Sequence, residues 1–309
     1  MRYSLTSRVR GALIGGLLGQ SLATMEGEVP LVWIKAAVCG IESLVKARGR
    51  LDLDQWNQFQ DELWNLETPP DLTLANVILG TLPIALFFHE NSIKLRENLL
   101  LAIKRNNHPD IRDGVLAVSY IIAQSLNENI NQQLNLKKLV TEITSFIGET
   151  TTGIPNKLEL VNNLIFENAG LAELQNSLSK ENNISNTIAV AFYCFATTRE
   201  DFRLTCLRAM RNGHNSHACG AIAGAISGAY NSIAGIPITW HLGLDEAKLA
   251  QWGLTNFSQM VKLADALVAV WSGAYHVLPE FLEIKEVKNT DLSFSPNEAI
   301  AAPYIIRLR

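Results

Sequence analysis

Residues Arg211–Trp240 read R-N-G-H-N-S-H-A-C-G-A-I-A-G-A-I-S-G-A-Y-N-S-I-A-G-I-P-I-T-W. The centre, Ala218–Tyr230, predicts a helix in which Gly220, Gly224 and Gly228 recur every four residues. Four residues is just over one turn, so the three bare Cα atoms share one face and form a smooth groove. A glycine inside a helix costs up to about 1 kcal/mol against alanine. A chain carries three in register for the close approach of another helix, or for a site. Upstream, Thr198-x-x-Asp201 predicts a helix start, with the Thr hydroxyl as cap and the acid at the positive helix end. Phe202, Cys206, Ala209 and Met210 then share a face, and Gly213 is the expected stop.

Helical periodicity extends outward from this block. Leu31–Ala47 places Ile34, Val38, Ile41 and Val45 on one stripe, and Asp54–Leu66 does the same with Trp56, Phe59, Leu63 and Leu66. Pro69 and Pro70 break the chain before an apolar segment over Leu72–His89. Residues 93–104, 111–126 and 136–147 read as further helices, with Asn127–Asn135 and Glu181–Asn186 as connecting loops. Nothing alternates strand with helix, and no glycine loop follows a strand. The expected fold is all-α, with one compact helical domain over residues 1–285. Pro296, Pro303 and the apolar Tyr304-Ile305-Ile306 suggest an extended tail over 286–309 that docks on it.

The 309 residues carry 26 Lys+Arg and 30 Asp+Glu, a net charge of −4, and 48% are hydrophobic. That is a globular composition, and without basic runs it offers no nucleic-acid footprint. Arg8 and Arg10 precede the apolar Gly11–Gly19, which imitates a short signal peptide. The glycines, and Met25 and Glu26 in place of a clean cleavage site, favour a buried first helix. No apolar run approaches the roughly 18 residues that span a bilayer, so the expectation is a soluble, cytoplasmic protein without a membrane partner. Cys39, Cys194, Cys206 and Cys219 contain no C-x-x-C pair and read as buried thiols.

The chain resembles the ADP-ribosylglycohydrolase family, which includes the dinitrogenase reductase-activating glycohydrolases. Members open with a segment like R-x-x-G-A-L-x-G-x-x-x-G-D-A-L-G, and Arg8–Ala23 reads R-V-R-G-A-L-I-G-G-L-L-G-Q-S-L-A. A T-H-P-D-type turn is matched by Asn107-His108-Pro109-Asp110. The late block G-G-D-x-D-T, A-I-A-G-A-x-x-G-A-Y, I-P-x-x-W is matched within Arg211–Trp240. The resemblance implies an orthogonal helical bundle, a cleft for ADP-ribose and two Mg²⁺ ions held by an early T-D-D-T and the late D-x-D-T.

The metal-binding residues of those motifs are replaced. Aligned on the A-I-A-G-A segment, Asn215 and His217 stand at the two late aspartates and Ala218 at the threonine. Aligned on Glu42-Ser43-Leu44, Leu31, Val32, Trp33 and Ile34 stand where T-D-D-T belongs, and Gln20 replaces the aspartate of G-D-A-L. Mg²⁺ wants six hard oxygens, several of them anionic or water. These positions offer amides, an imidazole and apolar groups, so no bound metal is expected.

Three function classes follow. The favoured one is a catalytically inactive member that binds a protein partner or an ADP-ribose-like ligand, through a cleft whose candidate residues are Gln20, Glu26, Glu28, His108, Gly213, His214 and Ser216. The second is an active ADP-ribosyl hydrolase with a divergent metal site. The third is a structural subunit of a larger assembly. His214, Asn215 and His217 form a further candidate, a site for a softer metal, if a helix puts both imidazoles on one face and His241, His276, Glu26 or Glu28 completes it. The plainer alternative is a solvated helix start. Trp33 stands apart from the core tryptophans, because a bulky indole at a metal motif suggests a plug.

Overall fold

The computed structural model describes residues 3–23, 32–64, 70–105, 108–127, 135–178, 183–211, 215–242 and 257–274. Among the described residues there is no strand, in agreement with the all-α reading. The helices are α1 (Leu5–Ala23), α2 (Trp33–Lys46), α3 (Leu53–Trp64), α4 (Pro70–Gly80) and α5 (Leu82–Phe87). They continue as α6 (Ser92–Ala102), α7 (Pro109–Leu126), α8 (Leu136–Ile147), α9 (Ile154–Phe166) and α10 (Leu171–Ser177). Then come α11 (Ile184–Thr197), α12 (Phe202–Met210), α13 (Ser216–Asn231), a 3-10 turn at Ile233–Gly235, α14 (Ile238–Leu242) and α15 (Phe257–Ser272). The expected tail over 286–309 lies outside the described residues, and no described helix is long and apolar enough to cross a membrane.

The body is organised on α1 and α13, which run antiparallel. The glycine groove of α13 faces a second one on α1: Gly11 meets Gly228, Gly15 meets Gly224 and Gly19 meets Gly220. A Cβ on any of the six would lie inside 3.0 Å of the opposing backbone carbonyl, so only hydrogen fits there. All sixteen residues of α13 are buried, as is most of α1. The apolar stretch that imitates a signal peptide is thus one half of the central seam.

Arg8 closes one end of this seam. It is 1% exposed, and its guanidinium donates to the carbonyls of Ala229 at 2.9 Å, Leu126 at 3.1 Å and Ser125. These lie at the C-terminal ends of α13 and α7, where backbone acceptors lack partners and the helix dipole is negative. Arg8 therefore holds the C-terminal ends of α7 and α13 together. Arg10 ties α1 to α15 through a two-pronged pair with Asp265, both contacts at 2.6 Å.

Several boundaries differ from the sequence reading. The apolar segment 72–89 is two helices, because Pro83 has no N–H with which to continue the ladder of α4. Thr198 does not cap α12: Asp201 accepts the Leu204 N–H at 2.8 Å, while Thr198 ends α11 and bonds back to the Cys194 carbonyl at 2.7 Å. The loop at 181–186 is shorter than expected, because Asn183 caps α11 through the Asn186 N–H. Helices α9, α10, α11, α14 and α15 are not anticipated, although in α9 Ile154, Leu158, Val161 and Leu164 are buried at helical spacing.

His89 gives the core a pH dependence. It is 3% exposed, with Nδ1 2.8 Å from the Leu86 carbonyl and its ring 5.3 Å from that of Trp271. Burial lowers its pKa to about 4; the Leu86 carbonyl opposes this and the Arg8 charge adds to it. The unfolded chain then binds the proton more readily than the folded one. The stability His89 confers is therefore whole above its ordinary value near 6.5 and drains as pH falls toward 4. Between pH 7 and pH 5 the loss is about 2 kcal/mol. Urea unfolding of the parent and of His89→Gln at both pH values measures it. Equal losses in the two proteins would show that the slope comes from elsewhere.

Candidate functional site

The degenerate motif positions that the structure describes gather around the C-terminal part of α1. Gln20 is fully buried there, and its Oε1 accepts the indole N–H of Trp33 at 2.7 Å. Trp33 is the first residue of α2 and has 0% exposure. The bare Cα of Gly16 admits the indole: a Cβ there would stand 3.1 Å from Trp33 Cη2 and 3.4 Å from the Ala225 methyl. The tryptophan is thus wedged against the α1–α13 seam. Val32 is half-buried, Ile34 is buried, and Leu31 lies outside the described residues.

A residue missed by sequence reasoning holds this start in place. Asn76 of α4 accepts the backbone N–H groups of Val32 and Trp33 on its Oδ1, at 2.8 and 3.0 Å. It supplies from a distant helix the cap that α2 lacks locally, since Val32 has no side-chain oxygen. A lone amide inside the apolar run from Leu74 to Ala85 was its only signal.

The late motif begins α13 at the same end of α1, where the Ser216 hydroxyl reaches the Ala23 carbonyl at 3.5 Å. Asn215 takes the left-handed conformation (φ 52°) as N-cap, and helix begins only at Ser216. The described helix thus includes His217 but starts after Asn215, and the pairing of His217 with His214 is not placed by it. His217 and Ala218 are 5% and 1% exposed, so the start of α13 is enclosed rather than solvated. Glu26, Glu28, Gly213 and His214 lie outside the described residues, as do His276 and the side chain of His241.

His108 is not brought to this place. It occupies the N-cap position of α7 without a side-chain capping bond, exposed and 3.7 Å from Asp110, and lines a cleft of about 600 Å³ with Lys104, Arg112 and Thr151. None of the described metal-motif positions lines that cleft.

The motif positions do not fit a pair of Mg²⁺ ions. They present an indole, aliphatic groups, one imidazole and the amide of Asn215, while the Gln20 oxygen already accepts from Trp33. Among the described residues no three His, Cys, Asp or Glu side chains converge on a point where a metal could sit. The thiols offer no alternative chemistry. Cys39 is half-buried rather than buried; burial pushes Cys194 up to about 12 and holds Cys206 and Cys219 well above the ordinary thiol value, so none of these three is a thiolate at neutral pH.

Residues 74–276 match the model of one family, described as ADP-ribosylglycohydrolase. The matched span contains the whole late block from Arg211 to Trp240, whereas Gln20 and Leu31–Ile34 precede it. A search of curated proteins finds no match to this chain.

Proposed function

The chain belongs to the ADP-ribosylglycohydrolase family, and from that premise we propose that it is a catalytically inactive member acting through binding, of a protein partner or of an ADP-ribose-like ligand. One observation carries the reading: the buried Trp33–Gln20 hydrogen bond at 2.7 Å, at positions aligned with family aspartates. A neutral pair that satisfies itself attracts no cation. Hydrolysis of the glycosidic bond by this family's route needs an oriented water of lowered pKa, which the two ions supply. Here neither the early nor the late positions retain a carboxylate to hold them. What remains is an enclosed seam at the end of α1 where α2 and α13 begin.

Assays on ADP-ribosylated arginine and serine peptides with millimolar Mg²⁺ test this. The parent chain is expected at background, with no saturable Mg²⁺ site below millimolar in calorimetry. Asn215→Asp, His217→Asp and Ala218→Thr together rebuild the late motif yet leave Trp33 and Gln20 in place, so the triple variant stays at background as well. Turnover that a chelator abolishes, in either protein, would overturn the reading. Calorimetry with ADP-ribose alone separates a ligand-binding member from a purely structural one.

A further inference from the structure

We propose that the cleft at the start of α7 is a binding site for a small organic anion, a phosphate or carboxylate head carried on a compact apolar body. The site shares His108 with the ligand cleft that the resemblance implies, while none of the described metal-motif positions lines it. Its volume of about 600 Å³ lies within the range of small-molecule sites, roughly 300–1,000 Å³. The apolar part of the lining comes from Leu100 and Ile103 at the end of α6 and from Pro109. An open, partly apolar hollow with a few convergent polar groups suits an amphiphilic guest better than bulk water.

Charge selects the kind of guest. Lys104, Arg112 and the His108 imidazole line the cleft with the Glu149 carboxylate, while Asp110 stands 3.7 Å from His108 behind the lining. Arg112 is partly committed, since Nη2 donates to the Ile147 and Glu149 carbonyls at 2.9 and 3.1 Å and Nε stands 3.7 Å from the buried Asp113. Lys104 is exposed and makes no ion pair among the described residues. It is the ammonium free to meet an anion, with the Thr151 hydroxyl exposed on the same lining.

The wall is built rather than loose. Arg96 donates to the Phe146 carbonyl at 2.9 Å, and both Thr150 and Thr152 give their hydroxyls to Asp113 Oδ2, the second at 2.6 Å. Residues 146–152 are thereby fixed before any guest arrives, which lowers the ordering cost of binding.

Titration of the full chain with phenyl phosphate, inorganic phosphate and benzyl alcohol tests the site by calorimetry. Phenyl phosphate is expected to saturate in the millimolar range or tighter, inorganic phosphate more weakly, and benzyl alcohol not at all. Lys104→Glu should weaken phenyl phosphate by about tenfold or more, and Glu149→Gln should tighten it by about twofold to fivefold. Both positions are exposed, so folding is preserved, and an unchanged melting temperature verifies it. No saturation by about 20 mM phenyl phosphate, far above the usual range for a specific small-molecule site, would overturn the proposal. So would binding that neither substitution alters.

Discussion

Gly224→Leu is expected to abolish cooperative folding or to lower stability by about 3 kcal/mol or more. A Cβ at residue 224 would come inside 3.0 Å of the Gly15 carbonyl, and a backbone atom in a central helix cannot turn aside as a side chain can. The neighbouring crossings, Gly11 with Gly228 and Gly19 with Gly220, are equally close, so α1 and α13 cannot slide to relieve one of them. Separation of the helices would open voids along the whole seam. Even Gly224→Ala should be strongly destabilising. Gly170→Ala is the control: nothing lies within 4 Å of a Cβ there, and its φ of −77° suits any residue. That variant should stay within about 0.5 kcal/mol of the parent. Urea denaturation followed by circular dichroism compares all three. A Gly224→Leu protein with the parental midpoint would mean that the seam is not in close contact.

The other large effect is expected from Arg8→Met. The substitution keeps most of the buried volume but strips a donor from the carbonyls of Ser125, Leu126 and Ala229. Water does not reach this position, so the acceptors stay unpaired at two helix ends whose dipoles now lack a balancing charge. The expected loss is about 3–5 kcal/mol. Arg8→Lys should recover only a small part, because a single ammonium cannot span three carbonyls as the planar fork does. Arg8→Met also removes the positive charge that disfavours protonated His89, so the pH dependence of stability should flatten slightly between pH 7 and pH 5. An unaltered urea midpoint for Arg8→Met would show that the three carbonyls find other donors.

Local pattern alone determined a good deal of this protein. Apolar spacing at 3.6 residues gave the helix class, because an amphipathic stripe is a property of a dozen neighbouring residues. The glycine register of 220, 224 and 228 announced a close contact, because three bare Cα atoms on one face have few other uses. The missing carboxylates at Asn215, His217 and Leu31–Ile34 were visible as soon as the motifs were aligned. Tertiary structure decided the rest. No local rule says that the groove of α13 is filled by Gly11, Gly15 and Gly19, since sequence records spacing and not partners. The same limit hid Asn76, whose side chain caps a helix more than forty residues away, and Arg8, whose three acceptors sit on two other helices. It also left the place of His108 open. Only the packing of α6, α7 and the segment after α8 set that histidine on the cleft that Lys104, Arg112 and Thr151 line. Pairing between distant segments depends on how whole surfaces fit together, and that sum exists only once the chain has folded.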